Sequence, residues 1–211
     1  MKPKLIIFDL FGTLIFPLEK IKREDFFAFY QSLGVQFKSK EDINIFTSDF
    51  SQLMTESDDW QSLSQKLLQK FVPDAQQKTI DDLANFYKEN LVYRPFDDVK
   101  GIINLSCPKA ILTNAAPFLF SNLGLEKYFE IFTPMETKTL KPDPKAFLVV
   151  LNKLKVKPEE VLMVGDEVER DLIPAQKLGM KTVLVDREDK VKDYSGIKIN
   201  SLREIKNILG L

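Results

Sequence analysis

The stretch "IIFDLFGTLI", Ile6 to Ile15, decides how the rest of the chain reads. An apolar run that does not alternate and stops at an acid predicts a strand buried on both faces of a parallel sheet. Asp9 ends the run and Gly12-Thr13 follows, so its carboxylate stands at a strand end beside a turn. That is the position of a nucleophile. Two residues on, where its proton-transfer group is expected, the sequence has the hydrocarbon ring of Phe11.

Three later runs repeat the design: "KAILTN" (Lys109 to Asn114), "EVLMVGD" (Glu160 to Asp166) and "KTVLVD" (Lys181 to Asp186). A weaker strand is expected at "EIFTP", Glu130 to Pro134. Helical periods separate them. "DPKAFLVVLNKLKV" carries a Pro in its first turn and an apolar stripe. "DLIPAQKLGM" tolerates Pro174 near its start and stops at Gly179, and "SLREIKNILGL" is opened by Ser201. Alternating strands and helices predict an α/β fold with a doubly wound, mainly parallel sheet. Ligands bind such sheets outside the carboxyl ends of the strands, where Asp9, Thr113, Asn114 and Asp166 converge.

From about Ile21 to Leu91 the pattern changes. "IKREDFFAFYQSLG", "EDINIFTSDFSQLM", "DWQSLSQKLLQKF" and "TIDDLANFYKENL" each place apolar residues at helical spacing. Four helices are expected there, with their phenylalanines as helical core. The expected division is a sheet core from 1–16 and 95–211 and an inserted helical domain over 17–94, sitting as a lid above the strand ends. A lid over a charged site excludes water and imposes substrate choice.

Composition narrows the chemistry. The chain has 211 residues, no histidine and the single cysteine Cys107. Without histidine there is no Ser-His-Asp or Cys-His catalysis and no His-ligated zinc site. Thr113 stands where a cysteine-phosphatase loop would need arginine, so Cys107 reads as a small apolar residue. Chemistry must rest on carboxylates, hydroxyls, lysines and a hard metal. A formal net charge of -1 gives no pull toward nucleic acid or an anionic membrane. No apolar run approaches the roughly 20 residues of a membrane helix. Asp9 interrupts the first apolar segment before it could be a signal peptide, so the expected location is cytoplasmic.

Four elements now stand in order: "DLFGTL", "LTN", "KPDP" and "GDEVERD". Together they resemble the haloacid dehalogenase-like (HAD) superfamily, whose hydrolases carry four such motifs in this order over a Rossmann-like core. The helical insert looks like the C1-type cap of that family. The resemblance implies that Asp9 is the nucleophile and a ligand of Mg²⁺. Further ligands would be the backbone carbonyl of Phe11, the carboxylate of Asp166, and that of Asp171 either directly or through a water. It implies that Thr113 and the Asn114 N–H hold a phosphoryl group, and that Lys141 neutralises nucleophile and phosphoryl together, with Lys138 as the fallback. Thr13 is expected to bind in the same place and to hold the Asp9 carboxylate with its hydroxyl. Glu167 and Arg170 are expected to form a local pair. The implied partner is a small phosphorylated metabolite, with no nucleic acid or membrane, and the chain a monomer or homodimer.

Phe11 divides the functional readings. Phosphatases of the family usually have Asp there, which protonates the leaving alkoxide and then activates water. Phe cannot. A Mg²⁺-dependent phosphatase lacking that acid is the reading favoured by the intact Asp9, Thr113, Lys141, Asp166 and Asp171. The alternative is a 2-haloacid dehalogenase, whose branch has an aromatic residue at this position and a second motif like "LTNAAP". Against it, "GDEVERD" looks like the metal-binding version of the fourth motif. The cap arginine that dehalogenases use could only be Arg23, the one arginine before Arg94 in this region. A non-catalytic binding protein is the third reading.

Overall fold

The structure, a computed structural model, describes residues 2–19 and 21–211; Met1 and Lys20, which fall within the expected domain ranges, lie outside the described residues. The chain divides into two compact units. One comprises Met1–Phe16, Arg94–Asn114 and Leu123–Leu211, the other Pro17–Tyr93 and Ala115–Asn122.

The first unit is built on a six-stranded sheet in the order β5-β4-β1-β6-β7-β8, with every recorded pairing parallel. Its strands are β1 (Leu5–Phe8), β4 (Lys109–Leu112), β5 (Glu130–Phe132), β6 (Val161–Gly165), β7 (Lys181–Val185) and β8 (Ile197–Ile199). The first two runs of the sequence reading fall on β1 and β4, and the others on β6, β7 and β5. Every residue of β1 and of β6 is buried, as a strand covered on both faces requires. β8 was not anticipated: at three residues, "IKI" is too short to show a period.

On one face, Leu5, Ile7, Ala110, Leu112 and Met163 pack with Phe147, Val150 and Leu151 of α7 (Pro144–Leu154). Leu172 and Ala175, the latter on α8 (Ile173–Lys177), join this cluster. Burying each of the larger side chains contributes about 1.5–3 kcal/mol, and Phe147→Ala would cost about 3–5 kcal/mol through the cavity it leaves. The short α5 (Lys100–Ile103), α6 (Pro134–Thr137) and the C-terminal α9 (Ile205–Leu209) complete the unit. Ser201 accepts from the Arg203 N–H and so opens the last segment. Gly179, at φ +95°, ends the helical stretch before β7.

The second unit holds α1 (Arg23–Ser32), α2 (Lys40–Glu56), α3 (Trp60–Phe71) and α4 (Gln77–Asn90). Ser39 and Asp42 close a capping box on α2, and Asp59 caps α3 by accepting from the Ser62 N–H at 2.7 Å. The aromatic residues meet at the centre. Phe29 stacks on Phe86 with ring centroids 3.8 Å apart, and the hydroxyls of Tyr30 and Tyr87 share a 2.7 Å hydrogen bond in full burial. Ala115–Asn122 belongs to this unit, with Phe118 edge-on to Trp60 at 4.8 Å. The ranges read from sequence did not single out that segment. Of the four chain crossings between units, those at Phe16–Pro17 and Tyr93–Arg94 fall in a two-stranded ribbon of β2 (Ile15–Pro17) and β3 (Tyr93–Pro95). Among the described residues no helix is long and apolar enough to cross a membrane.

Candidate active site

The chain leaves β1 for β4 on one side and later returns to β6 on the other, so β1 marks the switch point of the sheet. Phe8 is in register with both Ile111 and Val164, which brings the next residues of all three strands to one edge. The Asp9 N–H donates to the Val164 carbonyl at 2.8 Å and the Thr113 N–H to Phe132 at 3.0 Å, fixing both residues at their strand ends. Gly12 N–H then donates to the Ile15 carbonyl at 2.9 Å and turns the chain; Phe11 lies half-buried in that turn.

Lys141 is the electrostatic centre. Its Nζ lies 2.5 Å from Asp9 Oδ1 and 2.6 Å from Asp171 Oδ1, with Lys141 and Asp171 both buried. Lys138, the fallback, ends α6 with an exposed side chain. Asp171 sits in a π-helical turn, Val168–Leu172, that turns its carboxylate inward while Glu169 and Arg170 stay exposed. The Glu167 N–H donates to Asp171 Oδ2 at 3.2 Å, and the side chains of Glu167 and Arg170 pair at 3.2 Å on the surface.

One expectation needs correcting. The Thr13 hydroxyl donates to Asp166 Oδ1 at 3.2 Å rather than to Asp9, because the turn at Gly12 carries Thr13 toward β6. The Asn114 side chain has a role of its own. Its Nδ2 donates to the Lys141 carbonyl at 2.8 Å and its Oδ1 accepts from the Lys141 N–H at 2.7 Å. The amide thus holds the backbone that presents the ammonium. "LTN" gave no sign of this, since the partner lies 27 residues away.

The carboxylates of Asp9, Asp166 and Asp171 offer oxygen atoms within 4.8 Å of one another. Burial, then the charge of Asp9, raises the carboxyls of both Asp166 and Asp171 above the usual carboxylate range. Burial disfavours the Lys141 ammonium, but the charges of Asp9 and Asp171 outweigh it and hold Lys141 above its ordinary value. One ammonium thus faces three carboxyl groups. Buried charges demand partners, and a cluster of hard oxygen donors with charge to spare fits a divalent cation such as Mg²⁺. Backbone makes room for this cluster. A Cβ at Gly12, which has φ +79°, would overlap the Asp166 carboxylate, and one at Gly165 would overlap that of Asp171. Arg187, unremarked in the sequence, reaches under the turn to the carbonyls of Gly12 and Thr13.

A strand-end carboxylate, a bridging ammonium and two further carboxylates meet at one edge of a parallel sheet and form an acid-rich centre. The profile of the haloacid dehalogenase-like hydrolases matches residues 3–179, and the chain belongs to that family. A glyceraldehyde 3-phosphate phosphatase of Methanocaldococcus jannaschii is 37% identical over 94 residues, covering 41% of this chain and 40% of that protein. The match therefore spans about two fifths of that relative's length. Among solved structures, a HAD phosphatase from Thermococcus onnurineus has a TM-score of 0.63 at 23% identity, covering 100% of this chain and 98% of the other. A 2-haloacid dehalogenase from Pseudomonas syringae has a TM-score of 0.70 at 22% identity, covering 99% and 98%. These likenesses establish the fold, which phosphatase and dehalogenase share.

Proposed function

We propose that the chain is a Mg²⁺-dependent phosphatase of small phosphate monoesters, working through an aspartyl-phosphate on Asp9. The observation that carries this reading is Lys141 bridging Asp9 and Asp171 beside Asp166. A carboxylate attacking an anionic phosphoryl group needs nearby positive charge, and this arrangement supplies one fixed cation and the donors for another. The phosphatase name of the curated relative supports it further. Asp9, Asp166, Asp171 and the Phe11 carbonyl would hold the metal, which when bound supplies charge against the phosphoryl oxygens.

Asp9 attacks phosphorus as the bond to the leaving oxygen breaks. Lys141 holds the Asp9 carboxylate in place, while the Thr113 hydroxyl and Asn114 N–H bind the phosphoryl oxygens. Water then attacks the same phosphorus, releasing phosphate and restoring the carboxylate. Phe11 can neither protonate the leaving oxygen nor activate that water, so substrates with good leaving groups, such as aryl or acyl phosphates, suit this site. The helices of residues 17–94 serve as the cap in this reading.

The test is phosphate release from p-nitrophenyl phosphate with Mg²⁺ and with EDTA, beside halide release from 2-chloropropionate. Metal-dependent phosphate release that disappears in Asp9→Asn, with the fold unchanged by circular dichroism, is the expected result. Phe11 favours a second reading, the dehalogenase; metal-independent halide release without phosphate release would establish that one instead.

A further inference from the structure

Arg187 follows β7 and its guanidinium is engaged on both edges. Nε donates to the Gly12 carbonyl at 3.2 Å and Nη2 to the Thr13 carbonyl at 2.7 Å. Nη1 and Nη2 also grip the two oxygens of Asp98 at 2.8 and 3.1 Å. One flat face lies 3.6 Å from the centroid of Phe96, which itself stacks on Phe16 at 4.5 Å. Asp98 is buried and accepts in addition from the Ser201 hydroxyl at 2.8 Å and the Leu202 N–H at 2.9 Å. A planar fork can serve two successive carbonyls and a bidentate carboxylate at once, and a lysine cannot.

We infer that Arg187 is a positioning residue for the carboxylate cluster, acting through the turn that follows Asp9. The turn it holds contains Thr13, whose hydroxyl bonds Asp166, and Gly12, where a Cβ would overlap the same carboxylate. Asp9 lies three residues before Gly12, at the strand end that leads into this turn. Holding the two carbonyls therefore sets the distance between Asp9 and Asp166, and with it the grip on a divalent cation. This rests on the metal-site reading given above. Supporting groups behind metal ligands typically change metal affinity by about 10- to 100-fold when removed.

The experiment is binding of Mn²⁺, as a paramagnetic stand-in for Mg²⁺, followed by electron paramagnetic resonance on the full chain. Arg187→Met and Arg187→Lys are compared with Ser201→Ala, which loosens Asp98 without touching the turn. We expect both Arg187 variants to bind Mn²⁺ about tenfold more weakly. Ser201→Ala should bind like wild type even where its melting temperature drops as far as theirs. Arg187→Lys also serves if Arg187→Met does not fold. Wild-type affinity in a folded Arg187 variant would overturn the inference alone. No Mn²⁺ binding by the wild-type chain would overturn the metal-site reading and the inference with it.

Discussion

The side chain of Asn114 and the backbone of Lys141 exchange two hydrogen bonds, 2.8 and 2.7 Å long, so the end of β4 holds the segment that presents the bridging ammonium. Asn114→Ala removes both. Leaving such polar groups unpaired costs about 1–3 kcal/mol, and an ammonium displaced by even 1 Å can cost about 10²-fold in rate. We expect kcat on p-nitrophenyl phosphate to fall roughly 10- to 100-fold with a smaller change in KM. A variant with unchanged kcat would show that Lys141 keeps its place without Asn114.

Gly12→Ala should strike stability and metal use together. Its φ of +79° strains any Cβ, and that Cβ would overlap the Asp166 carboxylate. Gly34 is the control, with φ +99° but no neighbour nearer than 3.5 Å. Each substitution should cost about 1–3 kcal/mol in denaturant unfolding. Only Gly12→Ala should also weaken activation by Mg²⁺; equal activation curves would deny Gly12 its role in making room for Asp166.

Phe11→Asp supplies the acid that the turn lacks. Turnover of alkyl phosphates should rise by about tenfold or more, toward the range general acid–base help provides, and that of aryl phosphates much less. Equal changes on the two substrates would mean that proton transfer does not limit the wild-type chain.

The metal-free protein should lose stability as pH rises. Burial and the Asp9 charge hold Asp166 and Asp171 above the ordinary carboxylate range, so the folded chain retains protons that the unfolded chain has released. This contribution is zero below about pH 4 and becomes more destabilising from there toward neutrality. In EDTA, the melting temperature of wild type relative to Asp166→Asn should drop between pH 5 and pH 7.5. Mg²⁺ should reverse the drop by taking the place of those protons. Parallel pH curves for the two proteins would refute the assignment.

Asp98 runs the other way. Burial pushes its carboxyl up, but the hydrogen bonds from Arg187, Ser201 and the Leu202 N–H, with the Arg187 charge, hold it below the ordinary value. The stability it contributes is present above about pH 4 and is lost as pH falls through the depressed value. Asp98→Asn should therefore lower the melting temperature at pH 7 and converge on wild type in acid. A constant offset across that range would remove the ionised Asp98–Arg187 pair as the cause.

The sequence by itself determined the parallel strands, because four apolar residues ending in an acid leave "LIIFD" little alternative to a strand buried on both faces. It also marked Asp9 and Asp166 by type and strand-end position, and Lys141 and Asp171 by the resemblance of "KPDP" and "GDEVERD" to the motifs of the family. Three-residue β8 escaped, since a period cannot be read in "IKI". Tertiary structure alone decided which partner each polar group meets. Thr13 serves Asp166 across 153 residues, Asn114 clamps Lys141, and Arg187 braces Gly12 and Thr13 from the end of β7. Hydrogen bonds are directional and short-ranged, so these pairings follow from the register and packing of the folded sheet and leave no periodicity in the chain.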